Sequence, residues 1–316
     1  MASVDQSQRY TLPEAPLADA AVATASVRPA FFTTLMVLFK ARVVSLLLFA
    51  AVGGAFIGAG GWPGLRVLGL TLLTGWLAAS GASALNQYIE RKSDGDMVRT
   101  RHRPLVNGDI PNPRWVPWVA AAMIVLSIVI ALPFSTALAF WLAAGAFIYV
   151  LVYTIWLKPR TPLNIVIGGA AGSAAVLSGA AAAGNWLEPG ALVLACLVFL
   201  WTPSHFWSLA IVYRNDYARS DTPMLPVMTT PRKAAFWVFL HTAATAYAAL
   251  MLAFDPALGW IYLIPVAVAT VDIMIRNLRL LHTPTPRNAR SLFIASNLYL
   301  AVVLVMLCVD VVLKGR

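Results

Sequence analysis

Charge is scarce in this chain. Only 11% of its 316 residues are Asp, Glu, Lys or Arg, while 60% are hydrophobic; an ordinary soluble domain carries roughly 25% charged residues. A water-soluble globule is excluded, and so is intrinsic disorder, which needs few apolar residues and much charge. Cysteine is nearly absent. Cys196 and Cys308 are the only two, both in apolar runs where a buried thiol is the ordinary expectation, so a disulfide scaffold is excluded. Residues 1–30 lack an apolar stretch of membrane length, and Arg9 and Arg28 are outnumbered by Asp5, Glu14 and Asp19. Neither a secretory signal nor an Arg-rich transit peptide fits. These residues are expected to form a short cytoplasmic arm, followed by a membrane domain over 31–316.

What the chain has is apolar runs. A helix needs about 20 apolar residues to cross a bilayer core, and nine runs approach that length: 34–59, 66–89, 115–133, 136–157, 163–185, 190–213, 234–253, 257–275 and 291–313. Turn-forming clusters divide them, among them Gly60 to Gly64, Pro159 to Pro162, Glu188-Pro189-Gly190 and Asp255-Pro256. The fold class expected is an all-α polytopic membrane protein of nine transmembrane helices in one bundle. Its runs are rich in Gly, Ala and Ser, which let helices approach closely in lipid. A net charge of +10 could suggest nucleic acid in a soluble protein, but here the charges must lie between spans. With nine spans, every Lys and Arg except Arg66, Lys314 and Arg316 falls on the side of the N-terminus. By the positive-inside rule that side is cytoplasmic, and the C-terminus lies opposite.

Two long loops on that basic side, about 90–114 and 214–233, mix carboxylates with arginines. Asn86, Glu90 and Asp94 are spaced i, i+4, i+8, so they stack on one face if the second helix continues past the membrane surface. An acidic face beside water can hold Mg²⁺, which takes oxygen ligands and commonly bridges one or two carboxylates to a substrate phosphate. Arg99 and Arg103 follow with guanidinium groups that match phosphate oxygens. By spacing alone, a solvated helix end with topology-enforcing arginines is the better explanation of this loop. The second loop repeats the combination in Arg214, Asp216, Tyr217, Arg219 and Asp221, implying a shared polar mouth. A metal-bound diphosphate suits such a mouth. If it carries a prenyl chain, its departure leaves an allylic cation that needs electron-rich shelter and exclusion of water.

These residues resemble the UbiA-type intramembrane prenyltransferases and, within them, the protoheme IX farnesyltransferase (heme O synthase) branch. The likeness runs from about residue 30 to the C-terminus. It is carried by Lys40 to Leu47, Asn86 to Asp94 with Met97 to Val106, Tyr153 to Gly169, Trp201 to Trp207, and Asp216-Tyr217 through Pro226. The resemblance implies transfer of a farnesyl group from farnesyl diphosphate to a vinyl group of protoheme IX, with heme as substrate, Mg²⁺ as cofactor and a bacterial inner-membrane address. Carried over residue by residue, Asn86, Glu90, Asp94 and Asp216 hold the metal diphosphate, with Glu90, Asp94 and Asp216 as metal ligands and Tyr217 beside them. Arg99, Arg103, Lys158, Lys40 and Arg42 bind diphosphate, and His205, Asn164 and Trp201 face heme. Glu90 stands where many relatives have Asp, and Asp221 falls where small residues are usual. Contact with a downstream heme A synthase stays open, as do a bonded core role for His205, an aromatic or chlorin acceptor, and, in another class, a transporter. Against the transporter, the charge clusters lie at one surface rather than mid-membrane.

Overall fold

The computed structural model describes residues 31–220 and 222–314; the expected N-terminal arm and Asp221 lie outside them. Among the described residues, nine helices are long and apolar enough to cross a membrane: α1 (Ala41–Ala59), α2 (Leu65–Glu90), α3 (Pro113–Ala131), α4 (Thr136–Leu157), α5 (Asn164–Ala182), α6 (Pro189–Val212), α7 (Pro231–Leu252), α8 (Trp260–His282) and α9 (Pro286–Lys314). Among the described residues there is no strand. Each helix packs on the next and α9 returns to α1, closing a ring, while α1–α5 and α6–α9 contacts cross its interior. Because short connections reverse direction each time, the start of α1 and the ends of α2, α4 and α6 come to one face. That face carries both long loops.

Three boundaries differ from the apolar runs. The first run breaks: a short helix, Phe31–Leu38, precedes α1, and between them Lys40 adopts the left-handed conformation (φ 49°, ψ 46°). At the other end of the chain, α8 runs on to His282 and α9 begins at Pro286. A helix ends where its backbone hydrogen bonds end rather than where apolarity does. Arg276 and Arg279 send their heads toward water while the backbone stays helical, and Pro286 suits a helix start.

Small residues set the spacing of the crossing pair. A methyl placed on Gly54 of α1 would overlap the Val176 carbonyl of α5, and one on Gly179 of α5 would overlap the Ala51 carbonyl of α1. The two backbones touch, as lipid-embedded helices do when small residues line the seam. Opposite the loop face, the buried Asp310 of α9 accepts hydrogen bonds from the Gly259 and Tyr262 backbone N–H groups at 2.6 and 2.9 Å. It satisfies the orphan donors at the start of α8 from a neighbouring helix. Asp272 pairs with Arg276 one turn on, at 2.8 Å, as its i, i+4 spacing implies.

Gly179→Leu should therefore destabilise the bundle by about 3 kcal/mol, the upper end of ordinary overpacking costs, read as a lowered thermal midpoint in detergent. Gly61→Leu, at a position with nothing within 4 Å, should leave the midpoint unchanged.

Candidate active site at the loop face

The site begins where α2 ends. Asn86 and Glu90 sit one turn apart, buried on its last turns. The helix does not continue to Asp94, as the i, i+8 stack requires. It gives way to a 3₁₀ turn over Ser93–Asp96, which swings Asp94 inward to 3% exposure. Each of these groups meets a cation. Lys40 Nζ donates to Asn86 Oδ1 at 2.5 Å, Lys158 Nζ lies 2.6 Å from Glu90 Oε1, and Arg103 lies 2.5 Å from Asp94 Oδ2. Thr100 donates to the Asp94 carbonyl at 2.8 Å, tying the loop back on itself.

The second side of the site comes from α4, whose last ten residues, Ile148–Leu157, form a π-helix. Lys158 N–H reaches the Tyr153 carbonyl five residues back at 2.9 Å. In an α-helix, the nine residues from Tyr149 to Lys158 make about two and a half turns, placing the two on opposite faces. The wider i→i+5 winding completes about two turns over that length, and both turn toward α2. Tyr149 hydroxyl lies 3.2 Å from Lys40 Nζ, Thr154 accepts from Asn86 Nδ2 at 3.0 Å, and Lys158 takes Glu90. Tyr149 and Tyr153 stack in parallel at 5.7 Å, and Lys158 lies over the Tyr153 ring. Tyr149 and Thr154 are absent from the residues the sequence singles out. Only an irregular winding makes them neighbours of Asn86, and nothing in the apolar run announces it.

The two loops meet at Arg99. Its backbone N–H donates to Asp216 Oδ2 at 3.3 Å, its guanidinium reaches the Tyr217 hydroxyl at 3.4 Å, and it sits over the Tyr217 ring at 5.9 Å. Asp216 also pairs with Arg219. Asp94 and Asp216 thus border one mouth, linked through Thr100 and Arg99. Among the described residues, however, no three acidic, His or Cys side chains enclose an ion by themselves. The expected group of Glu90, Asp94 and Asp216 is not a preassembled cage, because each carboxylate already holds a Lys or Arg. Its donor chemistry, carboxylate and amide oxygens around one opening, fits a hard divalent cation shared with a phosphate. Burial pushes the Lys40 amine down to about 7, the charge of Arg103 adds to this, and Glu90 opposes it.

The remaining expected residues separate. Arg42 is exposed on α1, and its side chain makes no hydrogen bond or ion pair with the group; two positions past the left-handed Lys40, α1 turns it outward. Asn164 is fully buried at the start of α5, its Nδ2 3.5 Å from the Lys158 carbonyl and its Oδ1 without a partner. His205 and Trp201 lie deeper, on α6. The imidazole is stacked between Trp201 at 4.3 Å and Phe293 at 4.5 Å, and its Nδ1 pairs with the Ser296 hydroxyl at 2.8 Å. Trp201 Nε1 donates to the Ser296 carbonyl at 2.9 Å. Both side chains fasten α6 to α9.

The chain matches the UbiA prenyltransferase family over residues 46–303. It is 38% identical to protoheme IX farnesyltransferase 1 of Saccharopolyspora erythraea, over 92% of this chain and 94% of that protein. It is 36% identical to protoheme IX farnesyltransferase of a Roseiflexus species over 90% of this chain, and there it spans about half (53%) of the relative's length. Among solved structures, a UbiA homologue from Archaeoglobus fulgidus bound to DMAPP and Mg²⁺ has the same fold, with a TM-score of 0.62 at 18% identity, covering 87% of this chain and 99% of that one. The nine-helix ring, the two carboxylate-bearing loops and the family match lead to one conclusion: the chain is an integral membrane protein and belongs to the UbiA prenyltransferase family.

Proposed function

We propose that this protein transfers the farnesyl group of farnesyl diphosphate to a vinyl group of protoheme IX, with water adding as a hydroxyl, to give heme O and diphosphate. The observation that carries the reading is the junction at Arg99, where the Asp94 loop and the Asp216–Tyr217 segment share one opening. The acceptor is read from the relatives that bear that activity in their names. The mouth faces the cytoplasm of a bacterial inner membrane in this reading, supported by the side on which Lys and Arg accumulate.

Glu90, Asp94, Asp216 and Asn86 would hold Mg²⁺ with the diphosphate; the ion would neutralise charge on the leaving group. Lys158, Arg103 and Lys40 line the same opening, each now engaged with an oxygen that a bound cation would claim, and the Arg99 guanidinium lies beside them against the Tyr217 hydroxyl. Released from those partners, they bind phosphate oxygens and stabilise the departing diphosphate. The stacked Tyr149 and Tyr153 rings lie between Lys40 and Lys158. They present π faces to the allylic cation as the C–O bond breaks. Toward the membrane interior the walls are apolar, which accommodates the isoprenoid and keeps water from quenching the cation. In this reading His205 is the acceptor-side group: Ser296 holds Nδ1 at 2.8 Å, and Nε2, which makes no hydrogen bond among the described residues, would be the atom that meets the porphyrin.

The direct test is the heme extracted from cells with and without the protein, by chromatographic retention and mass; appearance of a farnesylated, hydroxylated heme is expected, and unmodified protoheme alone refutes the acceptor. Asp94→Ala and Asp216→Ala should each lower turnover at least about a hundredfold, in line with losing a charge-stabilising contact, measured well below the thermal midpoint in detergent, which Asp94→Ala also lowers by leaving Arg103 unpaired. Full activity in either variant removes it from the metal-diphosphate site. His205→Ala should weaken heme binding, measured by absorbance titration, without changing the KM for farnesyl diphosphate. Unaltered heme affinity would make it a packing residue.

A further inference from the structure

Two unfavourable features sit side by side at the entrance to α1, and neither is needed for the helix bundle itself. Lys40 is the only non-glycine residue with positive φ among the described residues, in a region that L side chains occupy at a cost. Beside it, Gln87 is buried to 1% exposure with its Oε1 lacking any partner, also a costly arrangement. The Gln87 amide nitrogen accounts for both. Nε2 donates to the Val37 carbonyl at 2.7 Å and to the Leu38 carbonyl at 2.8 Å, so one NH₂ group closes the Leu38 carbonyl left open at the end of helix Phe31–Leu38 and also holds the Val37 carbonyl that takes the Lys40 N–H at 3.1 Å. Turning the amide over would set its oxygen against both carbonyls, so the orphaned Oε1 follows from the donation.

The consequence is a fixed corner. Beyond it, Val43 and Val44 N–H groups bond to the Lys40 carbonyl, at 2.8 and 3.0 Å. The chain is thus held before and after the left-handed residue, and in that bend the Lys40 side chain turns into the bundle instead of outward like Arg42. Leu38 adds apolar anchorage, packing with Ala84 of α2, Ile110 of the first loop and Val116 of α3. Asn86 and Gln87, adjacent on α2, therefore act on the two ends of one device: Gln87 sets the backbone from which Lys40 springs, and Asn86 receives its amine.

We infer that Gln87 is a positioning residue for diphosphate binding, acting through the short helix Phe31–Leu38 and the left-handed corner to hold Lys40 in the mouth. The inference rests on the diphosphate reading of that mouth but not on the identity of the acceptor.

The test uses the full-length protein in detergent with Mg²⁺ and inorganic diphosphate as probe, with affinity measured calorimetrically. Gln87→Met keeps the length and apolar packing and removes the donor. Its affinity should fall about tenfold, the loss expected of roughly one charged contact, to the level of Lys40→Met. The double variant should be no weaker than Lys40→Met alone, since both changes remove the same contact. In membranes, without purification, acetic anhydride labelling read by mass spectrometry should modify Lys40 to a different extent in Gln87→Met than in the unaltered chain. Wild-type affinity in Gln87→Met, losses that multiply in the double variant, or equal Lys40 labelling would each overturn the positioning role. An unaltered protein that binds no Mg²⁺-diphosphate would overturn the site reading and this inference together. Diphosphate binding without farnesylated heme in cells would remove the acceptor assignment and leave Gln87's role standing.

Discussion

Unpaired charge cannot rest beside a lipid core, and the loop face is built around that constraint. Three carboxylates approach the ends of membrane helices, and each is matched by a cation: Glu90 by Lys158 of a distant helix end, Asp94 by Arg103 of the same loop and Asp216 by the half-exposed Arg219 three residues on. Breaking either of the first two, largely buried pairs leaves the other charge uncompensated, which costs far more than the pair itself contributes. The mouth is consequently stable as a mixed-charge surface and receptive to a ligand of mixed charge. In the proposed reaction a divalent cation with a diphosphate would present that combination, freeing oxygen ligands and phosphate binders together.

The scaffold supplies the precision that ion pairs alone lack. Backbone contact between α1 and α5 at Gly54 and Gly179 brings the start of α1 into fixed relation with the interior. The π-winding at the end of α4 then turns Tyr149, Thr154 and Lys158 toward α2. Both devices give up regularity locally, one by dispensing with side chains and the other with α hydrogen bonding. Both act on the walls of the mouth. On the opposite face the corresponding polar group, Asp310, serves only to cap a helix. Chemistry and support are thus divided between the two ends of the bundle.

The nine spans, their order and the face that carries both long loops were legible because each follows from local composition: apolar length, turn residues and the side on which Lys and Arg fall. That Glu90, Asp94, Arg99, Arg103, Asp216 and Tyr217 gather at that face was legible as well, since charged and aromatic residues in loops between apolar runs stand out. Asp94 nevertheless reaches the site by a 3₁₀ turn rather than by the continued helix that its spacing suggested. Arg42 resembled Lys40 in sequence but lies outside, because Lys40 sits in the left-handed corner and Arg42 on the helix that follows it.

The sequence by itself determined a membrane bundle with an acidic and basic mouth on one side, because hydrophobicity and charge are properties of residues one at a time. Only the tertiary structure decided which cation answers which carboxylate, that Tyr149 and Thr154 belong to the site, and that Gln87 fastens the corner from which Lys40 enters. Those relations depend on helix winding and on the approach of segments dozens of residues apart, from Val37 to Gln87 and from Arg99 to Asp216, and no periodicity along the chain encodes them.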